Sequence, residues 1–255
     1  MAEAARPPVP PPGRPGTGRE PGWGLADAAI GFLVALLAST LATAVVLGVT
    51  GRTADSSDDL PLSLVALLQV PLWLGLAGAP VLAARRKGRG VVEDFAFRST
   101  LADVPIGLVV GALTQAVLVP LLYLPLLRFL DDDLDVSAPA RSLTERATGV
   151  GVVLLILVVA VGAPVVEELF YRGLLLRSLE RRLGPAPALW VSAILFGLSH
   201  FQLLQLPALV MFGLVAGWLA QRRGRLGPAI WAHVAFNAWT VAFLLGAATV
   251  DKIGT

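Results

Sequence analysis

Glu167 and Glu168 stand side by side, with Arg172 four residues after the second, inside a stretch that is otherwise uncharged from about Ala147 to Leu176. The chain has two histidines, His200 and His233, and both lie in apolar stretches. Asn237 follows His233 by four residues. Helical spacing gives these residues different jobs. Successive residues are about 100° apart on a helix, so Glu168 and Arg172 share a face and Glu167 points elsewhere. Glu before Arg at this spacing is the favoured order, and the pair is expected to anchor the helix as an ion pair. Glu167 is then left without a partner in a dry setting, which suits a carboxylate to general-base work near neutral pH. His233 and Asn237 share a face in the same way, and an imidazole and a carboxamide there can both donate hydrogen bonds to a developing oxyanion. His200 comes four residues after Phe196, with Gly197 between them permitting close approach of another helix.

A charged side chain at mid-membrane costs at least about 2.5–3.5 kcal/mol, so such residues are functional candidates. Sixteen of the 18 acids fall in tails, loops or the ends of apolar stretches, leaving Glu167 and Glu168 well inside one. Taken singly, a buried His can simply satisfy a neighbouring helix, and a Glu–Arg pair can be structural. Together they cluster in the last three-fifths of the chain, which points to one catalytic or transport site.

The elements that must position them are membrane spans. Hydrophobic residues make up 56% of the 255 and charged residues 15%, against about 25% charge in soluble domains. That composition excludes a soluble globular domain and implies an all-α polytopic transmembrane bundle. There is no Cys, which excludes disulfides, thiolate nucleophiles and cysteine zinc sites. The net charge of +2 carries no dense basic patch, so no nucleic-acid partner is expected. Residues 1–24, with seven Pro and five Gly, read as a disordered cytoplasmic tail, too polar and too long for the n-region of a signal peptide. Residues 25–146 hold three non-catalytic spans, near Ala28–Gly51, Leu60–Ala84 and Val104–Leu127, and residues 147–250 hold the catalytic region. Its fourth span runs from about Ala147 to Leu176. The uncharged run Leu183–Gln221 would be roughly 58 Å long as one helix, twice the membrane core. It is therefore read as two spans broken at Gln202–Pro207, and Leu226–Ala248 makes a seventh. With the N-terminus inside, 14 Lys and Arg fall on inner segments and five on outer ones. The positive-inside rule then gives N-in and C-out with about seven spans, with the acidic runs Asp55, Asp58, Asp59 and Asp131, Asp132, Asp133, Asp135 outside. The Arg-rich composition, with abundant Ala, Gly, Val and Pro, suggests a GC-rich bacterial genome, and hence the bacterial cytoplasmic membrane.

Three motifs carry a resemblance. Glu167-Glu168-Leu169-Phe170-Tyr171-Arg172 reads EExxxR, Phe196–His200 reads FxxxH, and His233–Asn237 reads HxxxN. In this order, each inside an apolar span, they resemble the CAAX protease and bacteriocin-processing (CPBP, or Abi) family, relatives of the type II CAAX prenyl endopeptidase. The resemblance covers roughly Ala147–Ala248. It implies an intramembrane endopeptidase acting on a membrane-associated peptide or protein. Glu167 and His200 would activate a water, His233 and Asn237 would stabilise the oxyanion, and Glu168 and Arg172 would support them. The family is often labelled metalloprotease. Two His and one Glu (Glu167, His200, His233) are a permissible zinc ligand set, yet no HExxH is present, so the cofactor is either none or Zn²⁺. A non-catalytic immunity or partner-binding protein and a proton-coupled transporter using Glu167 are the alternatives.

Overall fold

The computed structural model describes residues 21–53, 60–126 and 136–253. Most of the Pro/Gly-rich tail and both acidic runs lie outside them. Every regular element among the described residues is helical. In chain order these are α1 (Leu25–Thr50), α2 (Leu62–Lys87), the single turn α3 (Val91–Phe95), α4 (Asp103–Pro125), α5 (Ala138–Glu145), α6 (Val150–Leu183), α7 (Pro185–Leu198), α8 (Leu206–Arg223) and α9 (Gly227–Ile253).

Five of them, α1, α2, α4, α6 and α9, are long and apolar enough to cross a membrane. The chain is a multi-pass helical membrane protein. The remaining pair departs from the expected seven spans. Helix α7 has 14 residues, about 21 Å, which is short of the hydrocarbon core. Helix α8 has 18 residues but ends in Gln221, Arg222 and Arg223. The uncharged run does break in two, but earlier than expected. Helix α7 stops at Leu198, and Phe201 adopts a left-handed backbone with φ 54°. That is an uncommon conformation for a non-glycine residue, and it turns the chain just after His200. A hairpin returns the chain to the side it left whether or not its tip crosses, so five crossings and seven give the same side for the C-terminus.

Two of the spans contain wide π-turns, at Thr114–Leu118 in α4 and at Ile156–Gly162 and Leu169–Leu175 in α6. The first two precede Pro120 and Pro164, which lack the N–H that a regular helix needs. Between the last two lies one regular stretch, Ala163–Glu168, which carries both glutamates.

Small residues bring the helices together. A Cβ at Gly111 of α4 would overlap the carbonyl of Ala232 in α9, so α4 and α9 pack backbone to backbone one residue before His233. The start of both helices is fastened by Arg225, just before α9, whose Nε and Nη2 donate to Asp103 at 2.7 and 2.6 Å. Helix α6 runs seven residues past Leu176, and its Arg181 stacks over Trp23 and donates to the carbonyls of Pro21 and Trp23. This ties the start of α1 to the end of the helix that bears the glutamates.

Candidate active site

Glu168 is fully buried, and one of its oxygens holds two partners. Oε1 accepts a hydrogen bond from Arg172 Nη1 at 2.8 Å and faces His233 Nδ1 at 2.9 Å. Arg172 is equally buried, and its Nη2 donates to the carbonyl of Gly213 at 3.2 Å. The guanidinium lies 4.4 Å from the Phe196 ring centre and 5.8 Å from that of Phe212. Gly213 is required here because a Cβ would sit 2.9 Å from Ala193 Cα, forcing α7 and α8 apart. The charges of Glu168 and Arg172 offset one another where both side chains are buried, the condition under which a buried ion pair is tolerable.

These contacts fix the histidine protons. A carboxylate oxygen can only accept, so the ring proton of neutral His233 sits on Nδ1 and its Nε2 carries a lone pair. His200 Nδ1 lies 2.7 Å from the carbonyl oxygen of Phe196, which fixes the same tautomer. Both Nε2 atoms face one oxygen of Glu167: His233 Nε2 is 3.8 Å from Oε2 and His200 Nε2 is 4.0 Å from it. Both separations exceed a direct hydrogen bond. A water can hydrogen-bond both ends of such a gap, and it would relieve the repulsion between lone pairs and carboxylate. Access is graded. The side chains of His200 and Glu167 are 27% and 17% exposed, while those of His233 and Glu168 are at 4% and 0%.

The expected residues thus converge from three elements, Glu167, Glu168 and Arg172 from α6, His200 from the turn after α7, and His233 from α9. Glu167 faces His233 as well as the expected His200, and Glu168 serves His233 as well as Arg172. Asn237 takes a different position from the one its spacing suggests. Its Nδ2 donates to the carbonyl of Val159 at 2.8 Å, in the wide turn Ile156–Gly162 of α6, and not toward a point shared with His233.

Sequence reasoning missed Tyr171 and Ser199. Tyr171 Oη donates to Ser199 Oγ at 2.6 Å, and Ser199 Oγ to the Phe196 carbonyl at 2.7 Å, the same oxygen that holds His200. A signal was available, since Tyr171 follows Glu167 by four residues and Ser199 precedes His200. The donor set Glu167, His200 and His233 is of a type zinc accepts. Among the described residues, however, no group of three His, Asp or Glu side chains is close enough to hold a metal ion.

A multi-pass helical bundle whose interior holds two glutamates, two histidines and an arginine has the makings of a hydrolase working within the membrane. Residues 149–239, a little over a third of the chain, match the family model described as type II CAAX prenyl endopeptidase Rce1-like. Over this stretch the chain is similar to that family, a family of proteases, and all six site residues fall inside the match. No curated protein and no solved structure matches the chain.

Proposed function

We propose that this protein is an intramembrane endopeptidase of the CPBP type that cleaves a membrane-associated peptide or protein. The observation that carries the reading is the facing of two imidazole Nε2 atoms on one oxygen of Glu167. A water held between Glu167 Oε2 and His200 Nε2 loses a proton to the carboxylate as its oxygen attacks the scissile carbonyl carbon. The carbonyl π electrons move to the oxygen. His233, which enters the reaction as the imidazolium with a proton taken from solvent at Nε2 and keeps that proton throughout, donates a hydrogen bond to that oxyanion, and the buried Glu168 carboxylate at its Nδ1 offsets the charge. Asn237, one helical turn further along α9, supplies a second donor once it turns from Val159. The tetrahedral intermediate collapses with cleavage of the C–N bond, and Glu167 returns its proton to the leaving nitrogen. Glu168 and Arg172 position His233 and touch no substrate.

The setting is a bacterial cytoplasmic membrane, entered N-terminus in and left C-terminus out. The spans comprise five long helices together with α7 and α8, seven in all if the hairpin crosses. The matched family's description names prenylated CAAX substrates, and this chain's substrate is taken more broadly as a membrane-associated polypeptide. The reading is tested by comparing the proteomes of cells expressing the native chain and Glu167→Gln. New peptide termini that appear with the native chain alone are expected, and identical sets of termini would overturn it.

A further inference from the structure

A cavity of about 290 Å³ lies beside the catalytic cluster, between α4, α5, α6, α9 and the turn joining α7 to α8. Its wall is mainly apolar and carries the polar side chains of Gln115, Gln202, Gln205, Asn237 and Thr240, of which Gln205, Asn237 and Thr240 already donate to the carbonyls of Val136, Val159 and Phe236. Gln202 comes two residues after His200, and Asn237, itself one of the candidate site residues, lies one helical turn after His233. Gln115 stands on the wide turn Thr114–Leu118 of α4, and its Oε1 is buried with no hydrogen-bond partner among the described residues. A buried acceptor without a donor is rare in a folded protein.

The chemistry of this lining selects the occupant. Among the described residues no Asp, Glu, Lys, Arg or His lines the cavity, and those residues offer neither the charge an ion site needs nor the titratable chain a proton path needs. Carboxamides carry both donors and acceptors, as a peptide backbone does. A segment about to be hydrolysed inside a membrane must be unwound, and its freed N–H and C=O groups then need partners that lipid cannot give. Resting on the protease reading above, we propose that this cavity is the subsite that holds an extended stretch of substrate backbone next to the scissile bond. Gln115 Oε1 accepts a backbone N–H of that stretch, and the carboxamide of Gln202 takes a second backbone group.

The test uses the full chain carrying Glu167→Gln in bacterial membranes, with the photoreactive residue p-benzoylphenylalanine placed at Leu143, which lines the cavity. A control places it at Leu37, which is exposed on α1. After irradiation the adducts are identified by mass spectrometry. Peptide adducts are expected at Leu143 and lipid adducts at Leu37. Adding Gln115→Leu should lower the peptide yield at Leu143 about five-fold, the factor of one lost neutral hydrogen bond, and Gln202→Leu should act in the same direction. A thermal midpoint on each variant separates loss of binding from loss of fold, and if one variant fails to fold the other decides. Lipid adducts alone at Leu143, or a peptide yield that neither substitution changes, would overturn the inference. Failure of the protease reading looks different. Peptide adducts would still depend on Gln115, while native and Glu167→Gln membranes would contain the same peptide termini.

Discussion

Glu168 and His233, 65 residues apart in the chain, meet at 2.9 Å in the interior of the bundle. This contact sets the tautomer of His233 and turns its Nε2 toward Glu167. It also gives two adjacent glutamates separate tasks, one facing the reacting groups and the other holding the histidine and Arg172. Glu168→Gln leaves Arg172 buried without its counter-charge, at a cost of about 3–5 kcal/mol. The expected outcome is less folded protein and a lower thermal midpoint than for Glu167→Gln, measured on both variants in the same detergent. Equal yields and midpoints would contradict this division.

Asn237 bears on both structure and chemistry. Its bond to the Val159 carbonyl ties α9 to α6, and losing one neutral hydrogen bond costs only about 1 kcal/mol. Removing an oxyanion donor costs about 10²–10³ in turnover. Asn237→Ala is therefore expected to lower kcat by that factor with little change in KM and a small change in thermal midpoint. A large fall in midpoint with turnover intact would assign Asn237 a purely structural role.

The water mechanism and a metal mechanism differ under chelation. With Glu167 and His200 acting on water directly, the purified protein keeps its activity after treatment with a chelator and carries no stoichiometric metal. Reversible loss of cleavage, restored by added Zn²⁺ and matched by one zinc per chain, would instead make His200 and His233 equivalent ligands and place Asn237 outside the coordination sphere.

Topology follows from the charge asymmetry. A reporter fused after Thr255 is expected on the external side, and one inserted in the Arg85–Arg98 segment in the cytoplasm. This holds for five crossings or seven, since α7 and α8 enter and leave together. Both reporters on one side would mean an odd error in the span count.

The site was more legible than the path of the chain around it. Glu168 and Arg172 could be paired from spacing alone, because a four-residue step on a helix needs no tertiary knowledge. The contact of Glu168 with His233 could not, since nothing local encodes a meeting of residues 65 apart. The extent of α7 was misjudged for a related reason. Apolar residues continue through Leu203 and Leu204, so hydropathy runs on where the backbone turns at Phe201. The wide turns before Pro120 and Pro164 had a sequence signal in the prolines. The one at Leu169–Leu175 had no such signal, and it is the one that carries Arg172 and Tyr171. Short α5 was invisible to a search for long uncharged stretches because it contains Arg141 and Glu145.

The central claim is that Glu167 is the base for peptide-bond hydrolysis. Its most direct test is the rate at which the purified chain, reconstituted in liposomes, cleaves a peptide spanning a junction found in the proteomic comparison, measured for the native protein and for Glu167→Gln. Loss of general-base catalysis predicts a fall of about 10²–10⁴ in kcat, with the thermal midpoint unchanged because Glu168, Arg172 and His233 are untouched. A Glu167→Gln protein that is equally folded and cleaves at the native rate would contradict the account.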